Sequence, residues 1–173
     1  SVNVSVATPV NASVSIAASP GNLICSGNTV TFTATPVNGG ASPSYQWKNG
    51  STNVGTNNTV FVTSSLNNGD VITCIMTNNE SCVTGSPDTS NPVTMTVVGI
   101  PSIFNFTPLG GGMGSAITIN GSGFTSVSSV TFNGLSSTYT VNSSSQITAT
   151  VPPGALSGLI TVTTGCGSGI SVN

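Results

Sequence analysis

Residues 29–35 read Thr29-Val30-Thr31-Phe32-Thr33-Ala34-Thr35, with threonine at every odd position and an apolar side chain at every even one. A period of two marks a half-buried β-strand, because successive side chains leave opposite faces of the pleat. A helix would need apolar residues three and four apart, and that periodicity is absent throughout. Outward from this run, similar short stretches predict strands at Ser13–Ala18, Ser44–Lys48, Val60–Thr63, Val71–Thr77 and Val93–Val98, parted by Gly, Pro and Asn. Short alternating runs separated by turn residues predict an all-β chain built from sandwiches. The first six residues, Ser1-Val2-Asn3-Val4-Ser5-Val6, alternate just as strictly but have no hairpin or turn signal beside them. They read as a strand whose partner lies elsewhere.

Composition narrows the function. Of 173 residues, one is Lys or Arg and three are Asp or Glu, and there is no His. The charged side chains are Lys48, Asp70, Glu80 and Asp88. Polarity comes instead from Ser, Thr, Asn and Gly interleaved with Val, Ile and Phe, a mixture that suits a pleated surface and argues against disorder. No run approaches the roughly 20 apolar residues of a spanning helix. One cation cannot neutralise a phosphate backbone, so nucleic-acid binding is excluded. Without histidine the surface should barely respond to pH near neutrality. Weak like-charge repulsion tolerates self-association. Nothing at Ser1 resembles a secretion leader, so the chain reads as a mature protein or a fragment. Four Cys in such a chain predict an oxidising, extracellular setting.

Trp47 lies between Cys25 and Cys74, and "NNGDVITC" (67–74) resembles the run into strand F of an immunoglobulin domain. The strand-B position that usually holds the partner cysteine carries Phe32 instead, and Cys25 comes earlier, in "LICSGN". The usual disulfide is therefore not expected, and Phe32 with Trp47 should fill that core. "ICSG", "PSYQWKNG", "NNGDVITC" and "SNPVTMTV" together resemble the Ig/PKD-like repeats of large secreted surface proteins of Bacteroidota, including gliding adhesins. After the joint "VGIP" come "PSIFNFTPLGGGMGSAITINGSGF", "VTFNG", "QITATVPPGALSG" and "LITVTT". These resemble an IPT/TIG domain along nearly its full length, without the basic loop of its DNA-binding members. The resemblances imply two tandem immunoglobulin-like sandwiches, 9–98 and 99–173, preceded by an extra strand at 1–8. Gly110 to Gly112 read as a turn, and Gly121 and Gly123 as a bend before Phe124.

Catalytic and metal chemistry find no support. A Ser–His–Asp or Cys–His device is impossible without histidine. Glu80 and Asp88, the only conceivable glycosidase pair, fall in one excursion rather than across a cleft. The four Cys form no CxxC, and three scattered acids make no calcium loop, so no metal and no cofactor is expected. Lys48 reads as an outward residue rather than an isopeptide donor. Trp47, alternating with Tyr45, reads as core rather than as a sugar-stacking platform. The sequons at Asn11, Asn49, Asn79 and Asn120 are weak evidence for glycosylation in a chain this rich in Asn, Ser and Thr.

The cysteines say more. Three fall in the first domain and one in the second, so complete pairing must cross domains or chains. In sandwich topology Cys25, at the first turn, lies at the end where the chain leaves domain one, and Cys166, in "TTGCGSG", at the facing end of domain two. This predicts a Cys25–Cys166 bridge. Cys74 and Cys82 would pair across a hairpin, or Cys82 would reach a preceding repeat; free thiols are the alternative.

The leading expectation is a non-enzymatic structural and adhesive segment of an extracellular cell-surface protein, its tandem modules forming a stalk or filament. The alternative is a spacer or carbohydrate-binding accessory module of a secreted polysaccharide-degrading enzyme. Expected partners are neighbouring copies or repeats of the same protein, and surface glycans. Residues 92–97, Pro-Val-Thr-Met-Thr-Val, and residues 1–6 share one pattern, each followed by a Pro-containing joint and a new strand. The opening thus reads as the last strand of a preceding repeat. Val2, Val4 and Val6 are then strand-exchange candidates, able to complete another copy by strand addition.

Overall fold

A computed structural model describes residues 8–172; Val2, Val4 and Val6 lie outside them. The chain divides after Val97 into two compact units, and both are all-β.

The first unit comprises β1 (Val10–Asn11), β2 (Ser13–Ser19), β3 (Leu23–Cys25), β4 (Val30–Val37), β5 (Ser44–Asn49), β6 (Thr52–Val54), β7 (Val60–Thr63), β8 (Val71–Thr77), β9 (Val83–Thr84), β10 (Asp88–Thr89), β11 (Val93–Thr94) and β12 (Thr96–Val98). The two larger sheets run β2-β4-β7 and β10-β8-β5-β6, with β11 also on β8, and two-stranded pairs β1-β9 and β3-β12 complete the unit. The alternation of the 29–35 run becomes a division of faces: Val30, Phe32 and Ala34 are buried against Tyr45, Trp47, Ile72, Cys74 and Met76 of the opposite sheet. Phe32, Trp47 and Phe61 form an aromatic cluster with ring centroids 5.8 to 6.3 Å apart.

Strand β2 is an edge, and an edge exposes backbone donors that must be satisfied. Side chains do this here. Val14 N–H donates to Asp88 Oδ2 at 2.7 Å and Ile16 N–H to Asn91 Oδ1 at 2.9 Å, while Asn91 Nδ2 donates back to the Ile16 carbonyl. The stretch expected as one strand at Val93–Val98 is broken at Met95: β11 pairs with β8, whereas β12 pairs with β3. Met95 itself is buried, its N–H donating to the Asp70 carbonyl at 2.8 Å. The chain changes sheets there, and a period of two runs through the switch unaltered.

The second unit comprises β13 (Ser102–Thr107), β14 (Ala116–Ser122), β15 (Val127–Phe132), β16 (Leu135–Ser136), β17 (Tyr139–Ser143), β18 (Gln146–Thr150), β19 (Ile160–Thr164) and β20 (Gly167–Ile170). Its sheets run β13-β14-β18-β17 and β16-β15-β19-β20. Between them lie Ile117, Ile119, Ile147, Val130, Val162 and Phe124. Gly121 serves a purpose beyond a bend. A Cβ there would overlap the Ser102 carbonyl oxygen and the Phe124 ring, and one on Gly169 would overlap the Pro101 carbonyl. Both glycines allow the start of β13 to come closer than any side chain permits.

Candidate functional site

The four cysteines occupy four different environments. Cys25 ends β3 rather than lying in a free turn, and its carbonyl accepts the Asn28 N–H that closes the turn after it. Cys166 sits in the two-residue turn between β19 and β20, its N–H donating to Thr164 Oγ1 at 3.1 Å. Both are disulfide-bonded. Cys74 and Cys82 are free thiols. The hairpin pairing of these two, one option in the sequence, is not made. Cys74 points into the core beside Trp47 and Met76, whereas Cys82 is exposed in the loop before β9 at a φ of 69°. Burial pushes the Cys74 thiol up from 9.0 to about 11, because the thiolate would lose its hydration. Burial, and to a smaller degree Cys74, also raises Tyr45.

Tyr45 and Trp47 both face the interior, and Trp47 Nε1 donates to the Asn58 carbonyl at 2.8 Å. Neither offers a ring face to a sugar. Each carboxylate of the chain caps backbone. Asp70 Oδ2 accepts from Asn67 N–H at 2.9 Å, Glu80 Oε1 from Ala41 N–H at 3.1 Å, and Asp88 from Val14 as described. Among the described residues no three of His, Cys, Asp and Glu come together to hold a metal. Among the described residues no helix is long and apolar enough to cross a membrane.

One concavity stands out within the second unit, a pocket of about 450 Å³ between the β13–β14 turn and the β18–β19 loop. Phe106, Ile117, Phe132 and Ile160 form its floor, and Leu109 and Leu156, 85% and 76% exposed, form its rim. Its lining holds no ionisable side chain and therefore offers no acid–base chemistry. Nothing in the sequence pattern signalled it, because its apolar rim belongs to turns, where periodicity carries no information.

No curated protein matches the chain. Among solved structures, one described as a complex with xylogluco-oligosaccharide is similar over 87% of this chain and 38% of its own, at 17% identity and a TM-score of 0.46. SGBP-B from a complex xyloglucan utilization locus in Bacteroides uniformis is similar over 92% of this chain and 48% of its own, at 16% identity and a TM-score of 0.44. The three N-terminal domains of the bacteriophage RB49 Highly Immunogenic Outer Capsid protein (Hoc) are similar over 92% and 57%, at 13% identity and a TM-score of 0.47. The chain thus spans less than two thirds of each of these. Its own second unit gives the family match: residues 100–173 fit the model of the IPT/TIG domain.

Proposed function

We propose that this chain is a non-enzymatic structural and adhesive segment of an extracellular cell-surface protein, two immunoglobulin-like modules of a stalk or filament. The observation that carries the reading is the state of the cysteines: Cys25 in the first unit and Cys166 in the second are oxidised, while Cys74 and Cys82 are not. Stable disulfides belong to oxidising compartments. A Cys25–Cys166 bridge would tie together two modules whose joint would otherwise flex. The use of all three carboxylates as backbone caps supports a scaffold rather than a catalyst. The gliding-adhesin type of surface protein, whose repeats the first module resembles, fits this reading. Strand addition through Val2, Val4 and Val6 would then join copies end to end.

Labelling of intact producing cells with an antibody to this chain tests the reading. Surface staining that protease treatment of whole cells removes is expected; staining only after lysis overturns it. For assembly, purified 1–173 should form fibres in electron micrographs that deletion of residues 1–8 abolishes. A monodisperse monomer before and after deletion would refute strand addition.

A further inference from the structure

The outer face of the β13-β14-β18-β17 sheet carries a continuous row of side-chain amides. Asn105 lies opposite Asn120, and Asn120 opposite Gln146. The neighbours Ile119 and Ile147 are buried, so these amides leave the other face. Asn120 Nδ2 donates to Asn105 Oδ1 at 2.8 Å and Gln146 Nε2 to Asn120 Oδ1 at 3.0 Å. On the last strand Asn142 Nδ2 donates to Gln146 Oε1 at 3.2 Å and to Thr148 Oγ1 at 2.8 Å. The row crosses all four strands. At its β13 end the ladder slips between Ile103 and Asn105, and the extra residue, Phe104, is 63% exposed.

Three properties of this face define what it can hold. The unit is uncharged, since residues 98–173 contain no Asp, Glu, Lys, Arg or His; an ionic ligand would find no counter-charge. Each amide has two N–H donors and a two-lone-pair oxygen, and the row uses only part of that capacity. Strand spacing of about 4.8 Å places roughly one amide per strand, close to the repeat of a hexopyranose in an extended β-linked chain. Because the amides already hold one another, little rotamer freedom remains to be lost on binding. An exposed phenyl ring at the end of such a row supplies an apolar face for a sugar ring.

We propose that this face binds an uncharged, extended β-linked polysaccharide lying across the strands, with Phe104 stacked on one ring and the Asn105, Asn120, Gln146 and Asn142 amides bonding its hydroxyls. The proposal goes beyond the stalk reading, which stands whether or not a glycan binds.

The test is an amide chemical-shift titration of the whole 173-residue chain with cellohexaose, mannohexaose and xylohexaose, and with hexagalacturonate as a charged probe. Saturable shifts on β13, β14, β18 and β17 with at least one neutral hexasaccharide and none with the uronate are expected. Phe104→Ala, which leaves the amide row intact, should weaken binding roughly two- to tenfold by removing the stacked ring. Gln146→Ala should do likewise, and Thr163→Ala on the other sheet should not. Absence of saturable shifts with all three neutral probes overturns the proposal. So does binding by Phe104→Ala equal to the parent, or a Gln146→Ala chain that melts earlier but binds unchanged.

Discussion

The first unit packs an aromatic cluster of Phe32, Trp47 and Phe61, and closes its β2 edge with the side chains of Asp88 and Asn91. The second fills its core with Ile, Val and Ala around Phe124 and Phe132, and closes up through Gly121 and Gly169, where backbone approaches backbone. All four formal charges lie in the first unit. Two sandwiches of similar plan therefore differ in emphasis. The aromatic cluster belongs to the first, and the closest approaches of backbone to glycine, at Gly121 and Gly169, belong to the second, with Gly85 against the Ala12 carbonyl a looser case in the first. The first should suffer most from losing a large side chain, the second from gaining an atom at these glycines.

Trp47→Ala is the largest single break expected. Its loss leaves a cavity between Phe32 and Phe61 and orphans the Asn58 carbonyl, at a cost of about 4 kcal/mol. In a calorimetric scan only the first unit's transition should move; a shift in both would show that the units are one cooperative block. Gly121→Ala should cost the second unit about 3 kcal/mol through overlap with the Ser102 carbonyl, leaving the first transition in place. If both substitutions act on one transition, the contrast between the units is lost. Asp88→Ala comes next. It orphans the Val14 N–H at the β2 edge, a loss of about 2 kcal/mol, and Asp88→Asn, which keeps an acceptor oxygen, should recover part of it in denaturant titrations.

The smallest effect is one of pH. The Cys74 thiol is raised in the folded state to about 11, so the unfolded chain releases that proton first. Its contribution to stability is complete below pH 9 and falls as pH rises from about 9 towards 11. Cys74→Ala should flatten that decline in the first unit. At pH 8 iodoacetamide should modify exposed Cys82 and leave Cys74 untouched until the chain unfolds. Equal reaction at both would contradict the burial of Cys74.

Much of this was legible from the alternation. Ser44–Asn49, Val60–Thr63 and Val71–Thr77 lie where period-two runs predicted strands, with Phe32 and Trp47 in the core. What escaped was whatever depends on partners distant in the chain. Strands β1, β3, β9 and β10 have two or three residues, too few to show a period. The caps on β2 join residues 74 and 75 apart. A Met95 switch between sheets leaves the alternation intact, and the Asn105–Asn120–Gln146–Asn142 row exists only once four strands are in register. Gly121 reads as a bend because a glycine in sequence announces freedom of φ, not the Ser102 carbonyl that lies against it.

Peptide mapping without reduction tests the central claim most directly. After alkylation of the native chain and proteolysis, a peptide linking Cys25 to Cys166 is expected, with alkyl groups on Cys82 and, after unfolding, on Cys74. Alkylated Cys25 and Cys166, or a peptide linking Cys74 to Cys82, would contradict the account of a disulfide-stapled extracellular stalk.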